Sequence, residues 1–204
     1  MPNRPTHLQV ERLLTEVILP FSHIDRQMRL PHGPRRFEND AEHSWSVAVL
    51  ACCLTPLIDP ALDVGKVSQL AIAHDLVEVF AGDTSVFADP GHIATKTERE
   101  QAALEKYRAD YSMFPWLAEI IAEYEALTSH EARFVSAIDK YIPIFYDHLD
   151  QGAFLRELKL TKADYDTARV EHRQKAHRHP GVGEYYDQIS DLIDQHPEYF
   201  HPTT

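Results

Sequence analysis

Residues 71–83, AIAHDLVEVFAGD, constrain this chain more than any other stretch. At about 100° per residue on an α-helix, His74, Asp75 and Glu78 share one wedge, roughly a third of the circumference, with only Ala71 and Gly82 beside them. The remainder of the helix, Leu70, Ile72, Ala73, Leu76, Val77, Val79 and Phe80, is apolar. A helix that is apolar nearly all round belongs inside a protein, and charges buried there must be paired or must bind a metal. The wedge therefore asks for a cation. A lone His-Asp dipeptide would serve equally well as a buried structural pair. A second acid on the same face, Glu78, and a third, Asp83, just past the helix-ending Gly82, favour the metal.

Helical periodicity dominates the rest of the chain, and strand signals are scarce. Thr6 caps a first helix that must end or kink at Pro20. The following segment, FSHIDRQMRLPHGPRRFENDAEH, is too rich in arginine, histidine and proline for one helix and reads as a polar binding edge. Asn39 or Asp40 caps a second helix that stops near Pro56, and Asp63 caps the third, which carries the central stretch. Residues 84–95 read as a loop, after which Thr95 or Thr97 opens a charged helix to about Tyr111. Pro115 suits the first turn of a fifth helix. A sixth runs from near His130 to Gln151-Gly152, with one interior acid, Asp139, and a kink predicted at Pro143. Thr161-x-x-Asp164 forms a capping box for a seventh, and residues 184–195 make a short eighth. The expectation is an all-α fold, a multi-helix bundle with a buried metal site, residues 1–204 forming one domain.

The net charge of −12 speaks against a general affinity for nucleic-acid backbones, which needs a basic surface. A few local arginines can still hold one phosphate inside an acidic protein. No apolar run reads as long enough to span a bilayer, and the N-terminal residues lack a signal-peptide pattern, so no membrane partner and a cytoplasmic location are expected. Cys52 and Cys53 are adjacent on an apolar helix and read as core packing, while His172, His177 and His179 read as a solvated helix end.

Three predicted helices thus each place an awkward polar group on an apolar background: His43, then His74 and Asp75, then Asp139. Two imidazoles and two carboxylates form a mixed nitrogen and oxygen set suited to zinc, manganese, cobalt or iron, and such a set leaves coordination positions open for chemistry.

The order His43, His74-Asp75, Asp139 resembles the HD superfamily of metal-dependent phosphohydrolases. Three blocks are similar to its 5′-deoxynucleotidase-like branch. They are Arg36 to Ser44 against R-x-E-N-x-x-E-H-S, His74 to Asp83 against H-D-x-x-E-x-x-x-G-D, and Glu123-Tyr124-Glu125 followed by Glu131 to Val135 and Asp139. The resemblance covers roughly residues 21–145, and residues 153–204 are expected to pack on that core. It implies that His43, His74, Asp75 and Asp139 bind one divalent metal: manganese, cobalt, zinc, iron or magnesium. It implies that Glu78 orients the attacking water or takes its proton, and that Asp83 faces the leaving oxygen or a sugar hydroxyl. Arg26 matches the phosphate-binding arginine, with Arg29 a rival, and Arg36 and Glu125 are further candidates at the substrate. Gln27 stands where one subgroup carries a tryptophan against the sugar, so no preference between ribo- and deoxyribonucleotides is implied.

The implied reaction is hydrolysis of a (deoxy)nucleoside 5′-monophosphate. Hydrolysis of guanosine polyphosphates is the alternative, disfavoured because Glu78 is followed by Val79 rather than a second acid. A non-catalytic HD module that binds metal and nucleotide is the second, and such a module would have no use for Glu78 and Asp83. The family often forms homodimers, and Tyr185, Tyr186, Ile189 and Leu192 could serve that interface or pack on their own core.

Overall fold

The computed structural model describes residues 4–33, 35–83 and 90–202. Thr6 and Gln9 form a reciprocal capping box at the start of α1 (His7–Leu13). The helix widens into a π-turn over Leu14–Ile18 and closes as α2 (Leu19–Phe21), so Pro20 sits at the start of a short helix rather than inside a long one. The polar edge that follows contains the only strands among the described residues, β1 (Asp25–Arg29) and β2 (Phe37–Asn39). They pair antiparallel, Asp25 opposite Asn39 and Arg29 opposite Phe37, with an irregular register between.

Asn39 then caps α3 (Asp40–Ile58), exchanging hydrogen bonds with Glu42. This helix runs through Pro56, two residues past the expected stop, which makes it the one described helix long and apolar enough to cross a membrane. Its inner face, with His43, Val47, Ala51 and Thr55, is nevertheless buried in the bundle. Asp63 caps α4 (Val64–Ala73), accepting from the N–H groups of Gly65 and Lys66. After α5 (Glu78–Ala81) the expected loop falls partly on residues 84–89, outside the described residues, and its end is helical, α6 (Pro90–Ala94). Next come α7 (Lys96–Asp110), α8 (Pro115–Ala126) and α9 (His130–Leu149), with Thr95, Phe114 and Ser129 at their N-caps. The chain continues through α10 (Ala153–Glu157), α11 (Lys162–Ala176) and α12 (Pro180–Asp194). Thr161 and Asp164 make the expected capping box, whereas α12 begins four residues earlier than expected because Pro180 supplies a preset first turn.

α9 is the spine. One apolar cluster packs it against α3, α4 and α8 through Val47, Ala51, Leu70, Ile121, Phe134 and Ile138. A second gathers α11 and α12 around its C-terminal half through Ile144, Tyr165, Tyr186, Ile189 and Ile193. Each such buried side chain contributes about 1.5–3 kcal/mol. Two of the candidate dimer residues, Tyr186 and Ile189, are therefore spent on this core, while Tyr185 and Leu192 remain exposed. The cysteines also divide: Cys52 is half-buried, but Cys53 lies exposed on the outer face of α3 and is no core residue.

Candidate metal centre

The central stretch is not one continuous helix. α4 ends at Ala73, and the chain turns through residues 74–77 before α5 begins. Hydrogen bonds there run three residues back: Leu76 N–H to Ala73, Glu78 N–H to Asp75, and Val79 N–H to Leu76. In such a tight turn residues three apart eclipse, so Asp75 and Glu78 come onto one side more closely than an α-helix would place them. The Tyr107 hydroxyl donates to the Leu76 carbonyl at 2.7 Å, satisfying backbone that the turn leaves over.

His74 is fixed in one tautomer. Its Nδ1 lies 2.8 Å from the Ala71 carbonyl, which can only accept, so Nδ1 carries the proton and donates. Nε2 is left with no hydrogen-bond partner, 3.1 Å from Asp75 Oδ2 and 3.8 Å from Asp139 Oδ1. A buried lone pair among carboxylate oxygens is repulsive unless a proton or a metal ion lies between them. From α3, His43 presents Nε2 3.0 Å from the same Asp139 Oδ1. On its other side, Nδ1 of His43 is 3.2 Å from the buried Glu38 carboxylate but makes no hydrogen bond. Donor atoms of His43, His74 and Asp75 lie within 4.8 Å of one another, and Asp139 closes the set from α9. The structure thus brings together all four residues expected to hold the metal.

Four buried carboxyls, from Glu38, Asp40, Glu78 and Asp139, and the partly exposed carboxyl of Asp75 surround this point. Arg26, reaching in from β1, lies 2.5 Å from Asp75 Oδ2, 3.3 Å from Asp40 Oδ1 and 3.8 Å from Glu38. Lys140 Nζ lies 2.7 Å from Asp139 Oδ2, which also accepts from the Tyr124 hydroxyl at 3.3 Å. Two side-chain cations are too few for five carboxyls, so without further positive charge some of the carboxyls hold protons, and a divalent ion would offset the same deficit. Burial, reinforced by Asp75 and Asp40, pushes the Glu78 carboxyl well above the usual carboxylate range. Asp40 is pushed up to about 8, again chiefly by burial, with Asp75 next. Burial acts on Asp75 in the same direction, yet His74 and Arg26 together hold it low. Glu78 Oε2 and Asp40 Oδ2 have no hydrogen-bond partner.

The centre opens into a cleft whose walls carry Glu78 and Asp83 on one side and Lys140, Lys175 and Arg178 on the other. Glu125 sits at the same cleft, on its exposed rim, as does Lys96. Of the expected substrate residues, Arg26 enters the site. Arg29, the rival of Arg26, pairs instead with Glu157, and Arg36 forms a bidentate pair with Glu42, at 2.7 and 2.5 Å, on the exposed surface. Sequence reasoning missed Glu38, Asp40 and the basic residues of α11. Asp40 reads as an ordinary first-turn acid favoured by the helix dipole, and His172, taken as solvated, is half-buried on the side of α11 that faces the bundle.

Comparison with known proteins agrees with the geometry. A family model described as the HD domain matches residues 22–180. The chain is similar to the 5′-deoxynucleotidase hdd1 of Schizosaccharomyces pombe, 26% identical over 55% of this chain and 58% of that protein. It is likewise similar to the human 5′-deoxynucleotidase HDDC2, 28% identical over 52% of this chain and 51% of that one. This chain spans about half the length of the curated relatives it matches. A crystal structure described as a predicted metal-dependent phosphohydrolase from Magnetospirillum magnetotacticum superposes with a TM-score of 0.76, at 27% identity, over 99% of this chain and 100% of that one. A protein from Pyrococcus horikoshii, 20% identical over 93% of this chain and 99% of that one with a TM-score of 0.58, shares the fold. Matched by the family model from the β1 edge to the start of α12, the chain belongs to the HD-domain family.

Proposed function

We propose that this chain is a metal-dependent phosphomonoester hydrolase that releases phosphate from (deoxy)nucleoside 5′-monophosphates. One observation carries the reading. The buried His74 Nε2 is turned, without a hydrogen-bond partner, toward two carboxylates that also face His43, beside a carboxyl whose Oε2 is likewise unpartnered, Glu78. A set that only clipped helices together would need neither Glu78 nor the open cleft. The similar proteins, two 5′-deoxynucleotidases and a predicted metal-dependent phosphohydrolase, support the same class.

His43, His74, Asp75 and Asp139 would hold one divalent ion, and that ion supplies Lewis acidity toward water and charge neutralisation at the phosphoryl oxygens. Glu78, whose Oε2 has no other hydrogen-bond partner, aims the attacking water and accepts its proton. Arg26 turns its guanidinium from Asp75 and Asp40 toward the phosphoryl group, and Lys140 adds charge from the opposite wall. Asp83 faces the leaving alcohol across the cleft. All 204 residues act as one domain in this reading.

Treating the purified chain with a chelator and restoring manganese, cobalt, zinc, iron or magnesium one at a time tests the proposal. Phosphate release from a panel of nucleoside monophosphates is expected with at least one metal and absent without any. Nucleotide binding with no release under any metal would replace the enzyme with a binding module.

A further inference from the structure

A second cavity adjoins the metal cleft. Arg26, Asp83 and Lys140 line both spaces and so form the neck between them. Beyond the neck the walls become apolar. Met28 comes from β1, Pro143 and Ile144 from α9, Phe154 from α10 and Tyr186 from α12. Tyr165 of α11 completes a ring of aromatic surfaces suited to a flat ring system.

Gln27, Arg169 and His172 also reach the lining, but one polar group there has a buried atom without a partner. Asp147, 6% exposed, accepts a hydrogen bond from the Tyr165 hydroxyl at Oδ2, 3.1 Å away, while its Oδ1 has no partner. An unsatisfied buried acceptor costs about 1–3 kcal/mol and is found where a partner is missing. Asp147 lies on the same helix as Asp139, eight residues on. At 1.5 Å per residue that is about 12 Å along the axis, the reach of a nucleotide laid along α9 with its phosphate at the first aspartate. Pro143, midway, leaves the Asp139 carbonyl without its helical donor and forms the floor between the two.

We infer that this cavity receives the nucleobase of the substrate, stacked among Phe154, Tyr165 and Tyr186, with the Asp147 carboxyl hydrogen-bonded to the polar edge of its ring. A flat heteroaromatic ring with polar edge atoms meets both requirements, whereas a small aliphatic alcohol does not. The inference rests on the phosphohydrolase reading for its orientation: phosphate at the metal centre, sugar at the neck, base beyond it.

The test compares kcat/KM for nucleoside 5′-monophosphates with that for ribose 5-phosphate, which keeps phosphate and sugar but has no base. The unmodified protein is expected to favour the nucleotides by about tenfold or more. Ala168→Phe, from a half-buried position on the cavity wall, is expected to collapse that ratio, and Met28→Trp does the same from β1 should the first variant not fold. Asp147→Asn keeps shape and changes the edge chemistry, so the ranking among the bases shifts. Equal rates with and without a base, or a ratio untouched by both filling variants, overturns the inference, and an unchanged ranking in Asp147→Asn removes Asp147 as the reader. If no phosphomonoester is hydrolysed with any metal, the phosphohydrolase reading fails by itself. Calorimetric binding of free nucleosides to the metal-free chain then decides the cavity: binding lost in Ala168→Phe supports it, and no binding by the unmodified chain overturns it.

Discussion

The two halves of α9 face opposite kinds of interior. Its N-terminal half, around Asp139, meets α3 and the turn after α4 in a space crowded with carboxyls and imidazoles. Its C-terminal half, around Asp147, meets α10, α11 and α12 in an apolar space with one odd carboxyl. In the first half the fold supports concentrated charge that becomes favourable only when a cation is present. In the second it does the ordinary work of burying apolar area. The difference implies that mutations in the first half act on metal and turnover, and those in the second on stability and on what is bound.

The sharpest way to break this division is within the metal half. Asp75→Ala removes a proposed ligand and the nearest partner of Arg26, and bound metal after dialysis is expected to fall to background together with turnover. Glu78→Gln, by contrast, is expected to retain metal while kcat falls by about 100- to 10,000-fold, the usual range for loss of a general base. Metal content measured on both variants separates the roles. Metal lost from Glu78→Gln would make Glu78 a ligand.

The aspartate of the other half should behave differently. Burial, with Asp150 nearby, pushes the Asp147 carboxyl from an ordinary 3.8 up to about 8. A carboxyl that is protonated in the folded state and ionised in the unfolded one stabilises the fold fully below pH 4, and this contribution is lost as pH rises toward 8. The loss runs at up to about 1.4 kcal/mol per pH unit across that window. Urea denaturation of the metal-free chain at pH 5 and pH 8 should therefore show Asp147→Asn gaining on the unmodified protein as pH rises. A constant difference between the two would mean that Asp147 is ionised in the folded chain.

The metal half was legible in the sequence because its demands are local. His74, Asp75 and Glu78 contradict an apolar helix, Asp139 contradicts another, and Asn39 and Asp63 announce the starts of the helices that carry His43 and lead to His74. The tight turn at residues 74–77 was not legible, since nothing in AIAHDLVEVFAGD forbids an α-helix there; the acceptance of a bond from Tyr107, remote in sequence, belongs to the tertiary fold. The β1–β2 pair was hidden for a related reason. Asp25–Arg29 has no apolar alternation, and its strand form depends on the pairing with Phe37–Asn39. Glu38 and Asp40, flanking the Asn39 cap, look like surface acids until the fold turns them inward. The second cavity lies further still from sequence reasoning, because α10, α11 and α12 are amphipathic in the ordinary way and only their meeting leaves a space.

Arg36 gives the smallest expected effect and the finest test of what motif resemblance can carry. It opens the block that ends in His43, and position in a motif alone would place it at the substrate. The fold instead turns it outward into a bidentate pair with Glu42, which also closes the capping box on Asn39. Both partners are substantially exposed, 48% and 35% for their side chains, and exposed pairs contribute about 0–1 kcal/mol. Arg36→Ala is therefore expected to lower stability by less than about 1 kcal/mol, with KM for a nucleoside monophosphate unchanged, whereas Arg26→Ala should raise KM because its guanidinium lies inside the site. The pair's role is to fix the start of α3, one turn from His43, and a marked rise in KM for Arg36→Ala would transfer Arg36 from the scaffold to the substrate site.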